Sequence, residues 1–255
     1  MQAIILAGGA GTRLQALFAD RPKILVPIAG RPFLEWQLEW FGRNGITDIH
    51  IAGGIKADVL KEWLKVRGTV AEGREQKDHT SLFTIHTSLF TFHVSLSSEP
   101  RPLGTGGGLK FVEPWIQTSP CLVVNGDSLL PNLNLKDLTE HHARSSCSIT
   151  LAITHIEDAA RFGTVKVDDT GHITAFLEKA AVAAGWVNGG VYVVNKEILD
   201  TIPTDRTVSI ERDIFPTFAD RHLLGAFSCP TPLLDMGTAE GIESMERFLA
   251  DHTNL

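Results

Sequence analysis

A short apolar run, Ala3-Ile4-Ile5-Leu6-Ala7, stops abruptly at Gly8-Gly9-Ala10-Gly11. A run of this length ended by glycine reads as a buried strand. A second run, Cys121-Leu122-Val123-Val124, breaks in the same way into Asn125-Gly126-Asp127. Between them, Pro32 to Gly42 has helical apolar spacing with Pro32 at its first turn. Thr47 to Ala52 is a short β-rich run closed by Gly53-Gly54, and Val59 to Val66 is helical again. Strand–helix alternation of this kind argues for a parallel sheet with helices on its faces. The expected class is α/β, a Rossmann-like mixed, mostly parallel sheet flanked by helices.

Further along, Leu135 to Arg144 reads as a helix and Ser148 to Thr154 as a strand. Thr164 to Val167 and His172 to Leu177 read as a hairpin around Asp168-Asp169-Thr170-Gly171. Gly190 to Val194 is another strand, and Ile210 to Arg221 and Glu240 to Asp251 are helices. Thr80-Ser81-Leu82-Phe83-Thr84-Ile85-His86 is repeated almost unchanged as Thr87-Ser88-Leu89-Phe90-Thr91-Phe92-His93. Two copies are too few for a stacked repeat fold, so the duplication reads as a lengthened strand or hairpin. No linker interrupts the 255 residues, and one domain spanning 1–255 is expected.

Bulk properties exclude several partners. A formal net charge of -7 disfavours a nucleic-acid backbone, whose phosphates each need a cation. The three cysteines, Cys121, Cys147 and Cys229, are scattered and suggest neither a disulfide framework nor a zinc knuckle. No signal peptide precedes the first strand, and no run approaches a membrane span. A cytoplasmic chain with reduced thiols is expected.

The glycine loop fits neither familiar phosphate motif. A P-loop needs Lys-Ser/Thr after its last glycine, where Thr12-Arg13 stands. A dinucleotide fingerprint needs a third glycine, where Leu14 stands. Glycines here still let backbone N–H groups approach phosphate. Arg13 and Arg21-Pro22-Lys23 add cations just beyond. Taken singly, Asp127 is also a turn residue, Asp235 before Met236-Gly237-Thr238 a helix start, and Glu178-Lys179 an exposed pair. The histidines, including His141-His142, have no ligand-like spacing and read as surface or core residues.

Leu6-Ala7-Gly8-Gly9-Ala10-Gly11-Thr12-Arg13-Leu14 with Pro22-Lys23-Ile24-Leu25-Val26-Pro27 resembles the opening signature of sugar-1-phosphate nucleotidylyltransferases. Ala16-Leu17-Phe18 replaces the usual Pro-Leu-Thr. Glu99, Pro102-Leu103-Gly104-Thr105-Gly106-Gly107, Asn125-Gly126-Asp127, Phe176-Leu177-Glu178-Lys179, Asn188-Gly189-Gly190-Val191-Tyr192 and Asp235-Met236-Gly237-Thr238 continue the resemblance. Only about Gly68 to His93 falls outside it.

The resemblance implies transfer of a nucleoside monophosphate from an NTP to a sugar 1-phosphate. Leu6, Ala7, Gly8, Gly9, Gly11, Thr12, Glu99, Gly104, Thr105 and Gly106 would bind nucleotide. Arg13 and Lys23 would neutralise the triphosphate, and Asp127 and Asp235 would hold Mg²⁺. Gly163, Glu178, Lys179, Asn188 and Gly189 would take the sugar phosphate. Glu99 points to GTP, because a carboxylate accepts from guanine N1–H and N2–H₂ and repels uracil carbonyls. CTP and UTP stay open. Arg161-Phe162-Gly163-Thr164-Val165 and Ser209-Ile210-Glu211-Arg212-Asp213 are most similar to D-glycero-α-D-manno-heptose 1-phosphate guanylyltransferases. The β-helix tail of larger relatives is not expected. The expected partners are an NTP and a sugar 1-phosphate, with no nucleic acid or membrane, and a homodimer stays open. A catalytically inactive nucleotide-sugar sensor is the alternative from another class.

Overall fold

The computed structural model describes residues 1–9, 18–70, 80–159, 162–177, 184–204 and 206–252. The first apolar run is β1 (Ala3–Ala7), followed by β2 (Pro27–Ile28), β3 (Arg31–Pro32), α1 (Phe33–Arg43), β4 (Asp48–Gly53) and α2 (Ala57–Arg67). Strands β5 (Gly68–Val70), β6 (Thr80–His86) and β7 (Thr91–Ser98) precede α3 (Gly104–Phe111). Then come β8 (Cys121–Asn125), β9 (Ser128–Leu129), α4 (Leu135–Arg144), β10 (Ile149–Ile156), β11 (Thr164–Val167) and β12 (Ile173–Leu177). Last are β13 (Gly185–Val194), α5 (Phe215–Asp220), β14 (Leu224–Ser228), β15 (Leu234–Asp235) and α6 (Ala239–Asp251).

Eleven strands form one mixed sheet in the order β12-β11-β13-β8-β1-β4-β7-β6-β5, with β10 paired to β13 and β14 paired to β10. The centre, β8-β1-β4-β7, is parallel, as the alternating pattern predicts. The antiparallel pairs lie on the wings, where hairpins add β6, β5 and β12 and where β13 meets β8. Alternate residues of a strand face opposite sides of a sheet. Ala3, Ile5, Leu122 and Val124 accordingly join one apolar cluster, and Ile4, Cys121 and Val123 join the other. Helix α1 covers the first face with Phe33, Leu34, Trp36, Leu38, Trp40 and Phe41, joined there by residues of α2 and α6. Residues of α3 and α5 lie in the second cluster.

Two elements differ from the sequence pattern. Ile210 to Arg221 is not one helix: a π-type turn covers Ile210–Ile214, and α5 begins at Phe215. Pro216, in the first turn of α5, has no N–H to donate back to the preceding turn, so a regular helix cannot run through. The glycine-rich stretch after Pro102 is the start of α3 rather than a loop. Glycine is a poor helix former, so local propensity hides this helix. The 207–210 segment supports it, since Val208 O accepts the N–H groups of Gly106 and Gly107 at 2.9 and 3.2 Å.

The duplicated heptads pair with each other across β6 and β7, with Ile85 opposite Phe92 and Thr84 opposite His93. The first copy is entirely strand, whereas the second begins as the turn Thr87–Phe90, closed by Thr87 N to Phe90 O at 2.9 Å. The same residue types therefore take two conformations. Leu82 stands in the strand, while its counterpart Leu89 is 68% exposed at the turn.

Strand β13 changes partner along its length. Val191–Val194 pair with β8, whereas Trp186 and Val187 pair with β11. An irregularity opposite Ala152 separates the halves and holds Gly190 at φ +74°. A Cβ there would stand 2.4 Å from Ser128 Oγ. Gly190→Ala should cost about 2–4 kcal/mol, combining a left-handed backbone with overpacking. A fall in the urea midpoint at constant m-value would register it. An unchanged midpoint would show that the bend relaxes freely.

Candidate active site

The chain builds β1, β4 and β7 outward in one direction, then returns to place β8 on the other side of β1. That reversal leaves a crevice beyond the carboxyl ends of the two neighbouring strands. A cavity of about 350 Å³ occupies it. Leu6 and Ala7 of β1 with Gly8 and Gly9 form one wall, Asn125, Gly126 and Asp127 the next. Lys23, Glu99, Pro102, Gly104, Thr105 and Thr207 complete the lining residues on which the site turns.

Lys23 opens a 3₁₀ turn, Lys23–Leu25, anchored by the buried side chains of Ile24 and Leu25. Its Nζ lies 2.9 Å from Asp127 Oδ2. Gly126 N–H donates to Leu6 O at 2.9 Å, which ties the Asp127 turn to β1. Asp127 O accepts Met236 N–H at 2.9 Å, and Asp235 lies opposite Ser128 in the β9–β15 pair. The two acids marked as metal ligands are thus brought near each other, Asp127 in the turn before β9 and Asp235 on β15, the partner of β9. Asp235 Oδ1 accepts Gly237 N–H at 2.9 Å, and Asp235 is not among the residues lining the cavity.

Glu99 follows β7, with its N–H on Gly53 O at 2.8 Å. Its Oε2 accepts Leu103 N–H at 3.1 Å. A Cβ on Gly8 would come within 2.5 Å of Glu99 Oε1, and one on Gly108 within 2.6 Å. Gly8 therefore makes room for this carboxyl group. Burial pushes the Glu99 pKa up to about 7, against the pull of the Leu103 N–H.

The remaining residues divide. Gly106 is buried and donates to Val208 O, so it supports the cavity from beneath. Thr105 Oγ1 donates to Glu211 Oε2 at 2.7 Å and accepts Ile210 N–H at 2.9 Å. Asn188 donates to Tyr192 Oη at 2.9 Å and accepts Gly190 N–H at 2.9 Å. Gly189 is buried beside Leu130 and Ala152, and Gly163 is exposed just before β11. Gly11, Thr12, Arg13, Glu178 and Lys179 lie outside the described residues.

Sequence reasoning missed Asn125, Tyr192 and Glu211 as individual residues. Tyr192 Oη receives hydrogen bonds from both Asn188 and Asn125, joining the β13 bend to the end of β8. Glu211 joins Thr105 to Ser209, whose Oγ donates to it at 2.8 Å. The Asn125–Tyr192 and Thr105–Glu211 contacts are not visible from spacing, because each crosses between distant segments. Two histidines are core residues, as expected. His50 sits between Ser95 and Ser97 with burial lowering its pKa to about 4, and His142 bridges Thr150 and Asn195. All three cysteines are buried and free, and burial raises the Cys121 thiol to about 12.

The cavity thus has a carboxyl group of near-neutral pKa at one wall and a cation–carboxylate pair at another. Among the described residues, no histidine or cysteine belongs to its lining. Such a site suits binding and charge neutralisation rather than nucleophilic attack by a side chain.

The chain is 32% identical over 211 residues to a D-glycero-alpha-D-manno-heptose 1-phosphate guanylyltransferase of Campylobacter jejuni, covering 83% of each chain. It is 31% identical to a mannose-1-phosphate guanylyltransferase of Mycobacterium tuberculosis over 94% of this chain, and spans 62% of that longer protein. Crystal structures of HddC from Yersinia pseudotuberculosis superpose with a TM-score of 0.78 at 29% identity, covering 97% of this chain and 99% of that one. A complex of HddC with GMP-PN gives 0.77 at 28% identity, with the same coverage. The family model for nucleotidyl transferases matches residues 2–252, and the chain belongs to that family.

Proposed function

We propose that this protein transfers GMP from GTP to D-glycero-α-D-manno-heptose 1-phosphate, releasing pyrophosphate. The observation that carries the reading is the position of Glu99, wedged between the Gly8 turn and α3 on the wall of the cavity that also holds Lys23 and Asp127. The name of the Campylobacter relative and the GMP-PN held by the Yersinia one support the same reading. The mannose-1-phosphate guanylyltransferase makes mannose 1-phosphate the competing acceptor.

In this reading the acceptor phosphate is already ionised. One of its oxygens attacks the α-phosphorus, the bond from that phosphorus to the bridging oxygen breaks, and pyrophosphate leaves with the electron pair. No general base is needed, and positioning plus charge neutralisation carry the reaction. Gly8 and Gly9 border the nucleotide, and Gly11, Thr12 and Arg13 would bind its triphosphate. Lys23 exchanges its Asp127 partner for phosphate oxygens. Gly163, Glu178, Lys179, Asn188 and Gly189 take the sugar phosphate. We place the reaction in the cytoplasm, where thiols stay reduced.

The donor set fits Mg²⁺. Asp127 and Asp235 offer carboxylate oxygens, and the nearby Asn125 Oδ1 and Ser128 Oγ are buried without a hydrogen-bond partner among the described residues. Hard oxygen donors suit Mg²⁺. When bound, the ion would neutralise phosphate oxygens as charge moves to the leaving group. Lys23 already holds a positive charge 2.9 Å from Asp127 Oδ2, so the pocket accepts a cation there.

Pyrophosphate release with Mg²⁺, measured across GTP, CTP, UTP and ATP against heptose, mannose and glucose 1-phosphates, tests the whole reading. Signal confined to GTP with the heptose supports it. A CTP or UTP signal would overturn the role of Glu99, and mannose alone would overturn the acceptor. Silence together with tight GTP binding would favour a sensor. Asp127→Ala and Lys23→Ala should each lower kcat about 10²-fold or more. Their melting temperatures should stay near that of the parent, because the pair is part-exposed. Full activity in either variant removes that residue from the site.

Glu99 adds a pH signature. Only the carboxylate accepts both guanine donors, and with a pKa of about 7 it is mostly protonated at pH 6 and mostly ionised at pH 8. GTP preference over CTP should therefore rise roughly tenfold between those values, as one titration around pH 7 dictates. Glu99→Gln should flatten the profile. A pH-independent ratio in the parent protein would exclude Glu99 as the base reader.

A further inference from the structure

We infer that Asp168, His172 and His222 form a binding site for a borderline divalent transition-metal ion of the Zn²⁺ class, separate from the nucleotide cavity. One ligand atom from each of these residues lies within 4.8 Å of the other two. They come from two turns far apart in sequence. Asp168 and His172 flank the β11–β12 turn, and His222 follows α5. Backbone contacts hold the turns together: His172 bridges Gly225, and Ala226 N–H donates to Gly171 O at 2.9 Å. The rings of His172 and His222 meet edge-on, with centroids 5.8 Å apart at 89°.

The hydrogen bonds arrange His172 as a ligand. Thr170 Oγ1 lies 2.6 Å from Asp168 Oδ1 and 2.7 Å from His172 Nδ1. A hydroxyl has one proton to give, and the carboxylate can only accept it. Thr170 therefore donates to Asp168 and accepts from His172 Nδ1–H. The lone pair is left on Nε2, the neutral imidazole form that binds a metal without losing a proton. A carboxylate that orients a histidine through its other nitrogen is a common support of metal sites, and Thr170 relays that support here. Asp168 Oδ1 also accepts the N–H groups of Thr170 and His172, at 2.9 and 3.0 Å. Among the described residues, none of these bonds falls on Oδ2.

His222 is exposed and sits at φ +54°, a left-handed conformation uncommon for a residue with a side chain. Rotation of that exposed ring can close the ligand spacing toward the roughly 3.3 Å expected of two ligands on a tetrahedral ion. Two imidazoles and one carboxylate prefer Zn²⁺ or Co²⁺, whereas the oxygen-only set at Asp127 and Asp235 prefers Mg²⁺. A bound ion would tie the closed end of the β11–β12 hairpin to the turn before β14. The open end of that hairpin leads from Gly163 and toward Glu178-Lys179.

Titrating the full chain with Co²⁺ in excess Mg²⁺ should give one equivalent of the visible bands of a four-coordinate site, displaced by Zn²⁺. His172→Ala and His222→Ala should each weaken Zn²⁺ binding at least tenfold by calorimetry. Asp168→Asn keeps an Oδ1 acceptor for the turn and should weaken it similarly, with unchanged circular dichroism. Zn²⁺ should raise the melting temperature of the parent chain and not of His222→Ala. A parent chain without the Co²⁺ bands, or histidine variants that bind Zn²⁺ as the parent does, would overturn the site. Neither readout involves GTP or a sugar phosphate, so failure here is distinct from failure of the guanylyltransferase reading.

Discussion

The parallel pairing of β1 with β4 on one side and β8 on the other is the constraint from which the rest follows. A strand buried on both faces cannot end among polar groups unless its neighbours end with it. Here Leu6 pairs with Asn125 and with Ala52, so the strands terminate together. At that shared edge the backbones separate, and loops from β1, β8 and β7 converge on one volume. Cavity and sheet are one construction: a shift of register between β1 and β8 would carry Asp127 away from Lys23.

The electrostatics follow from the same geometry. Chain reversal at Gly126, tied to Leu6, brings Asp127 to Lys23, and each partly cancels the charge of the other. The pair is part-exposed, so it adds little stability. Its consequence is that neither charge is left alone at the cavity wall. Glu99 is handled differently. It has no ion-pair partner among the hydrogen bonds and salt bridges described, and burial keeps its proton near pH 7. A group balanced in this way can switch between accepting and donating at little cost. That property suits a reader of base edges better than a residue that only shapes the wall.

Much of this was legible in the sequence, and the limits have physical causes. Apolar runs ended by glycine marked β1 and β8, and α4 was read with the boundaries it has. The cavity brings together Gly8, Gly9, Lys23, Glu99, Thr105 and Asp127, which the signature had named from separate stretches. Helix α3 stayed hidden because its first turn is held by Val208 rather than by its own propensity. The π-type turn at Ile210–Ile214 stayed hidden because apolar spacing does not register a missing proline N–H. The links through Tyr192 and Glu211 join residues 67 and 106 positions away, which no local pattern records. The duplicated heptad was legible as a lengthened strand or a hairpin, yet not the unequal conformations of its copies.

The histidines make the same point about scale. At sequence level His172 and His222 are fifty residues apart and unremarkable in spacing. What unites them is β14, which lies beyond β10 and whose Gly225 and Ala226 reach the β11–β12 turn. The hairpin is thereby held at its closed end, while its open end borders the stretch that contains Glu178 and Lys179. That open end is itself paired to β13 through Thr164 and Val165, so the contact at the Asp168 turn is a second anchor on a ribbon already held in the sheet. The oxygen donors at Asp127 and Asp235 and the mixed nitrogen and oxygen donors at the hairpin turn differ in hardness. On the two proposals made above, ligand chemistry alone would sort a harder from a borderline divalent ion between the two sites.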